Sequence, residues 1–309
     1  MSLFQKKKTG LVINQVSPTT NFFLTLFMLF MALVFVLPLW LVISVSFSTT
    51  DSIVEHGYAF WPHEFSISAY QYLARIGVQA GRCYLNTIFY SVVGTAASLI
   101  VMSMFAYVLS RKDFKGRNFL AFYAFFTTLF GGGLVPSYLL IVKYLKWDDT
   151  YWLFLVPGLV SAFNVIILRT FISSTIDESM IESARLDGAS DFNIYARIVM
   201  PLFKPGLASV GLFTFVGKWN DWMTAHLYCD GMKKAPIMTY LMSIQSSIEQ
   251  LKKLPPNEQT PEMLEMLKSL PSESCRMALT IIAILPLLIC YPFFQKYFIK
   301  GLTIGSVKG

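Results

Sequence analysis

Between Lys8 and Asp51 the chain carries no charged residue. An apolar run of that length has no place inside a soluble domain, because there is not enough core to hide it. A hydrocarbon layer about 30 Å thick is crossed by a helix of about 20 apolar residues. The sequence supplies six such runs: roughly 20–47, Asn86–Ser110, Asn118–Val142, Thr150–Leu168, Pro205–Tyr228 and Met277–Gln295. Composition agrees with lipid as the covering solvent. Hydrophobic residues make up 55% of the 309 and charged residues only 14%, against roughly 25% charged in soluble domains. The expected fold is therefore an all-α membrane protein with six transmembrane helices, forming a single transmembrane domain over 1–309 with its core at 84–300. The first run is too long for a signal-peptide core and lacks a small-residue cleavage site, so it reads as a retained span.

Six spans put both termini on one face of the membrane. Lys and Arg are denser in the N-terminus, 110–118, 172–205 and the C-terminal tail than in 47–83, 143–149 and 226–275. The short loop holding Arg111, Lys112, Lys115 and Arg117 weighs most. The excess of basic residues marks the cytoplasmic side, so both termini are expected there. The net charge of +7 is explained by this asymmetry, and no nucleic-acid partner is expected. Cys83, Cys229, Cys275 and Cys290 form no CxxC pair, and His56, His63 and His226 are scattered. No metal site is expected, though a Cys229–Cys275 bridge is conceivable because the pair flanks one hydrophilic segment.

The polar segment 173–204 has its own helix grammar. Thr175 with Glu178 predicts a capping box. Ile176, Met180, Ile181 and Ala184 recur at helical spacing. Gly188 predicts a left-handed stop, and Ser190 the cap of a second helix with Phe192, Tyr195, Ala196 and Val199 on one side. Pro201, lacking an N–H, predicts its end. A helix, a glycine bend and a helix too polar to span fits an interfacial element or a docking element for a partner.

The stretch Glu182-Ser183-Ala184-Arg185-Leu186-Asp187-Gly188, followed after nine residues by Ile198-Val199-Met200-Pro201, resembles the EAA motif of ABC importer permeases. The motif reads Glu-Ala-Ala, three residues, Gly, nine residues, Ile, one residue, Leu-Pro; Ser183 and Met200 replace an Ala and the Leu. The tail from Gln295 to Gly309 is similar to the ending of maltose-type sugar permeases. The run Phe130 to Tyr138 is similar to a branch handling larger oligosaccharides, and Trp219-Asn220-Asp221 fits the same family. The resemblance implies the type I importer permease fold and a carbohydrate, in particular an oligosaccharide, as cargo. It also implies residence in a bacterial plasma membrane. The partners it implies are a second homologous permease subunit completing a heterodimeric pore, two ATP-binding-cassette ATPase subunits holding ATP and Mg, and an extracytoplasmic sugar-binding protein. Glu182, Ser183, Ala184, Asp187, Gly188, Ile198 and Pro201 would couple to the ATPase, with Glu182 accepting a bond there. The external loop 226–275 would reach into the binding protein.

The chain itself is not expected to be an enzyme or to bind a cofactor. Gly211 with Gly217-Lys218 has the wrong spacing for a phosphate loop, and Trp219 stands where Ser or Thr is needed. Gly131-Gly132-Gly133 is followed by no Lys-Ser/Thr, and reads as close helix packing or a hinge. Lys218 and Asp221 are expected on one helical face, as a brace between two permeases or as lining of the sugar path together with Asn220. Pro157-Gly158 predicts a kink, and Arg169 the cytoplasmic end of the fourth span. The aromatics Tyr58, Phe60, Trp61, Phe65, Tyr70 and Tyr72 read as interface anchors or sugar-stacking rings. An ion-coupled secondary transporter would show repeated halves and more mid-membrane charge; it and an inert scaffold are the rival readings.

Overall fold

The computed structural model describes residues 17–75, 77–253 and 273–305. Regular structure among these residues is helical, with one isolated bridge between Ser48 and Phe65. Pro255, Pro256, Pro261 and Pro271 of the hydrophilic loop lie outside them.

Helix α1 (Pro18–Ser46) starts where Ser17 accepts the Thr20 N–H and Pro18 gives up no useful donor. Its apolar stretch has none of its residues buried within the chain, and its main helix contact is along the last helix, α15 (Glu273–Gly305). A helix apolar all round and bare on nearly every side is built to meet lipid. Beyond it, α2 (Thr50–His56) and α3 (Ser68–Arg75) lie in the aromatic segment. Some of those aromatics are tied to the end of α1. Trp40 Nε1 donates to the Phe60 carbonyl at 2.9 Å, and Phe47 stacks on Phe65.

The central helix is α4 (Gly77–Ser110), which begins nine residues before the apolar run does. It packs against α8 (Ala162–Thr175) and α12 (Lys204–Trp219). Small and hydroxyl residues make the closeness feasible, since helices in lipid associate through backbone approach. Ser91, Gly94, Thr95 and Ser98 recur along one buried face. The helix α12 also rests on α15, where buried Trp219 donates its indole N–H to the Ala283 carbonyl at 2.8 Å.

Among the described residues, three helices are long and apolar enough to span a membrane unaided: α1, α4 and α15. The other apolar runs are broken. The third divides into α5 (Arg117–Leu129) and α6 (Leu134–Leu139, continued by a π-helical turn Leu140–Leu145), bent by 109°. Gly133 sits at the break with φ of 87°, a conformation costly for residues with a Cβ. Gly131 and Gly133 have open space where a side chain would go. The triplet thus serves a bend and not a close packing within this chain. In the fourth run a short α7 (Trp152–Leu155) is separated from α8 by Pro157 and by Gly158 at φ of 77°, which is a break instead of a kink. Helix α8 then continues past Arg169 to Thr175. The fifth run stops at Trp219 and resumes as α13 (Met223–Tyr228).

Candidate functional site

Two places gather the residues singled out by sequence. The first is the knob between α8 and α12. Thr175 is still the last residue of α8, so it forms no capping box with Glu178. The chain turns at Ile176, whose side chain is buried, and Asp177 takes the cap position of α9 (Glu178–Leu186) without a side-chain bond. Glu178 is engaged elsewhere: its carboxylate lies 2.6 Å from Lys112 Nζ.

The glycine stop forms as expected. Gly188 adopts φ of 83°, its N–H bonds to the Arg185 carbonyl at 2.9 Å, and Ala189 N–H bonds to the Ala184 carbonyl at 3.0 Å. That pair of bonds satisfies carbonyls the helix end would leave bare. Ser190 then accepts the Asn193 N–H and starts α10 (Asp191–Ile194). A π-helical turn, Tyr195–Val199, leads into α11 (Met200–Leu202). Pro201 does not end the arm. It falls in the first turn of α11, where a missing N–H is harmless, and the chain swings by 81° into α12 only at buried Phe203.

The knob is rooted by Ile181, Ile194, Tyr195, Val199 and Phe203, which join Met102, Tyr107, Leu168 and Ile172 in one buried cluster. Tyr195 Oη and Ser103 Oγ share a 2.6 Å hydrogen bond. The expected side of the second arm is divided. Tyr195 and Val199 face in, but Phe192 and Ala196 face out, because the π turn adds residues per turn and shifts the phase.

A set of ion pairs fastens the knob to the loop between α4 and α5. The Arg185 fork places Nη1 2.5 Å from Asp113 Oδ2 and Nη2 2.7 Å from Asp191 Oδ1. Arg111 Nε adds a 3.1 Å contact to Asp113 Oδ1. The Arg185 hydrogen bond holds the Asp113 carboxyl below its ordinary value. Bonds to Asp191 and then Asp113 raise Arg185 above its own. Sequence reading placed Arg185 within the motif stretch but gave it no partner; the lone acid Asp113 amid a basic loop was the available signal. Glu182, Ser183, Asp187 and Gly188 are exposed, while Ala184 and Ile198 are half-buried on the inner side. Leu186 is 90% exposed and Phe192 65%, so the outer surface of the bend is apolar as well as acidic.

The second place surrounds Lys218. Helix α12 ends one residue later, Asn220 caps it, and Asp221 falls outside any helix. Lys218 and Asp221 therefore share no helical face and form no ion pair. Asp221 Oδ1 accepts the Thr224 N–H at 3.1 Å, while Lys218 Nζ donates to the Phe154 carbonyl at 3.3 Å. Both still border one cavity of about 350 Å³; Asn220 is exposed beside it. The lysine stem lies against Gly94, where a Cβ would come within 2.8 Å of Cδ and Cε.

The start of the 226–275 segment is stitched onto α4. Tyr90 Oη donates to the Lys234 carbonyl at 2.8 Å, and Asn86 Nδ2 to that of Lys233 at 3.0 Å. Lys234 Nζ in turn bonds to Asp149. Helix α14 (Ile237–Lys253) follows; 254–272 lie outside the described residues. The conceivable disulfide is not made. Cys229 and Cys275 are free thiols in separate apolar clusters.

The chain is 39% identical over 285 residues to the polygalacturonan/rhamnogalacturonan transport system permease protein YtcP of Bacillus subtilis (strain 168), covering 92% of this chain and 96% of that one. It is 27% identical over 302 residues to the arabinooligosaccharides transport system permease protein AraQ of Halalkalibacterium halodurans, covering 96% and 99%. Its structure superposes with a TM-score of 0.77, at 29% identity, on a chain of a bacterial ABC transporter involved in the import of the acidic polysaccharide alginate, covering 92% and 99%. Residues 5–304 match the binding-protein-dependent transport system inner membrane component, and the chain belongs to that family.

Proposed function

We propose that this chain is one half of the membrane channel of an ATP-driven importer that carries an oligosaccharide into a bacterial cell. The observation that carries the reading is the knob. Glu182, Asp187, Leu186 and Phe192 stand exposed around Gly188, while Arg185 and Glu178 tie the same helix to the α4–α5 loop. An exposed acidic and apolar bend on a fastened base suits a groove in a partner. In this reading the groove belongs to one of two ATPase subunits, which hold ATP and Mg. A second permease completes the pore, and a binding protein outside delivers the sugar. Both termini and the knob then face the cytoplasm. The carbohydrate cargo is supported by the named cargoes of the relatives, all of them sugar polymers or oligosaccharides.

Affinity purification of the tagged chain from its host membrane tests the reading. Recovery of an ATPase with the wild-type chain, and its loss in Glu182→Arg with the second permease retained, is the expected result. Absence of any ATPase from the wild-type preparation would defeat it.

A further inference from the structure

Resting on the carbohydrate reading above, we propose that the cavity beside Lys218 receives a sugar carboxylate, so that the carried oligosaccharide is of the anionic, uronate-containing kind. An ammonium has three protons to donate. Lys218 spends one on the neutral carbonyl of Phe154, and no carboxylate of the described residues lies within ion-pair distance of it. Asp221, the acid at hand, is turned to the Thr224 N–H. Charges among apolar helices are costly and face a cavity or a partner; this one faces a cavity.

The cavity walls fit a sugar before the charge is considered. Its volume of about 350 Å³ falls within the range of roughly 300–1,000 Å³ for ligand pockets. Ser161, Asn164 and Thr224 offer groups that both donate and accept, and Thr214, whose hydroxyl donates to the Val210 carbonyl, adds an acceptor, as ring hydroxyls require. Tyr90 and Phe154, stacked with centroids 4.2 Å apart, supply an apolar wall. A neutral sugar would need no more than this. The wall also carries the Lys218 ammonium and the Asp221 carboxylate, and of the two the ammonium keeps protons to donate while Asp221 Oδ1 is taken up by the Thr224 N–H. Gly94 reinforces the point. Its bare backbone lets the lysine stem lie flat on α4 with the head held at the cavity.

The test uses the assembled importer in its host cells, supplied with a labelled galacturonate trisaccharide or a neutral oligosaccharide. Lys218→Gln is expected to lower uronate uptake at least tenfold, with Lys218→Arg keeping a third or more and neutral-sugar uptake within twofold of wild type. Gly94→Ala, which displaces the stem without removing the charge, is expected to act in the same direction and serves where Lys218→Gln fails to assemble. Unchanged uronate uptake in Lys218→Gln, or an equal fall for both sugars in an assembled variant, overturns the proposal. So does a wild-type importer that takes only the neutral sugar, and in that case the carbohydrate reading stands. A wild-type importer that takes neither sugar overturns both.

Discussion

Arg185 of α9 and Asp113 of the loop after α4 meet at 2.5 Å and join the knob to the end of α4. Both side chains are more than a third exposed, and surface pairs of this kind contribute about 0.2–1 kcal/mol. The contact therefore matters more for what it connects than for stability. Arg185→Ala is expected to leave the melting temperature nearly unchanged while lowering sugar transported per ATP hydrolysed at least threefold. Simultaneous assay of hydrolysis and uptake in proteoliposomes reads the ratio.

The same contact has a defined pH dependence. Asp113 titrates lower in the folded chain than its ordinary value of 3.8, chiefly because Arg185 bonds the ionised form. Its stabilising contribution is complete above that ordinary value and disappears as pH falls through the lower folded value. Between pH 5 and pH 8 this pair should add no pH dependence to the coupling ratio. Comparing Asp113→Asn with wild type at both ends of that range checks it: the variant should show the same reduced ratio at each.

Gly188 holds a backbone angle that a Cβ makes costly, by about 1–2 kcal/mol. Gly188→Ala should strain the helix stop and weaken ATPase recovery in co-purification. Gly188→Asn should be milder, because Asn tolerates the left-handed region better than most residues. Equal behaviour of the two variants would contradict this account.

Trp219 is 1% exposed and holds α12 to α15 through Ala283. Trp219→Phe keeps most of the ring and removes the donor. Hydrogen bonds between membrane helices average about 0.6 kcal/mol, so a small drop in thermal stability in detergent is expected. Trp219→Ala, which empties a core position, should cost about 3–5 kcal/mol and prevent recovery of the intact complex.

Much of this was legible in the sequence. Apolar length and sparse charge pointed to the membrane, and the Glu182–Pro201 spacing pointed to the permease family, which the full-length match bears out. Gly188 and Ser190 were readable because a cap is a local event, settled within a few residues. The hinge alternative at Gly131-Gly132-Gly133 and the kink at Pro157-Gly158 mark two of the breaks, but their extent and the break at Asn220 are not legible, since hydropathy reports composition and says nothing of backbone angles. Hence the fifth run reads as one unbroken span, with Lys218 and Asp221 on a shared helical face, although the helix ends at Trp219. The expected capping box fails for a different reason. Helix α8 runs on through Thr175, and Glu178 meets Lys112 instead, a pairing that depends on how α4 and α8 pack, which local spacing does not encode.

The corner at Phe203 has a mechanical consequence. The side chain is wholly buried where the 81° turn is made, so the arm before it and α12 after it are set in one packed joint. Helix α12 has 16 residues and is about 24 Å long at 1.5 Å per residue. Such a shape is a crank. A tilt of about 10° imposed at the short arm would carry the far end, where Lys218 and Trp219 sit, through roughly 4 Å on that length. A displacement of that size would reshape the space beside Lys218 without unwinding a single turn of helix.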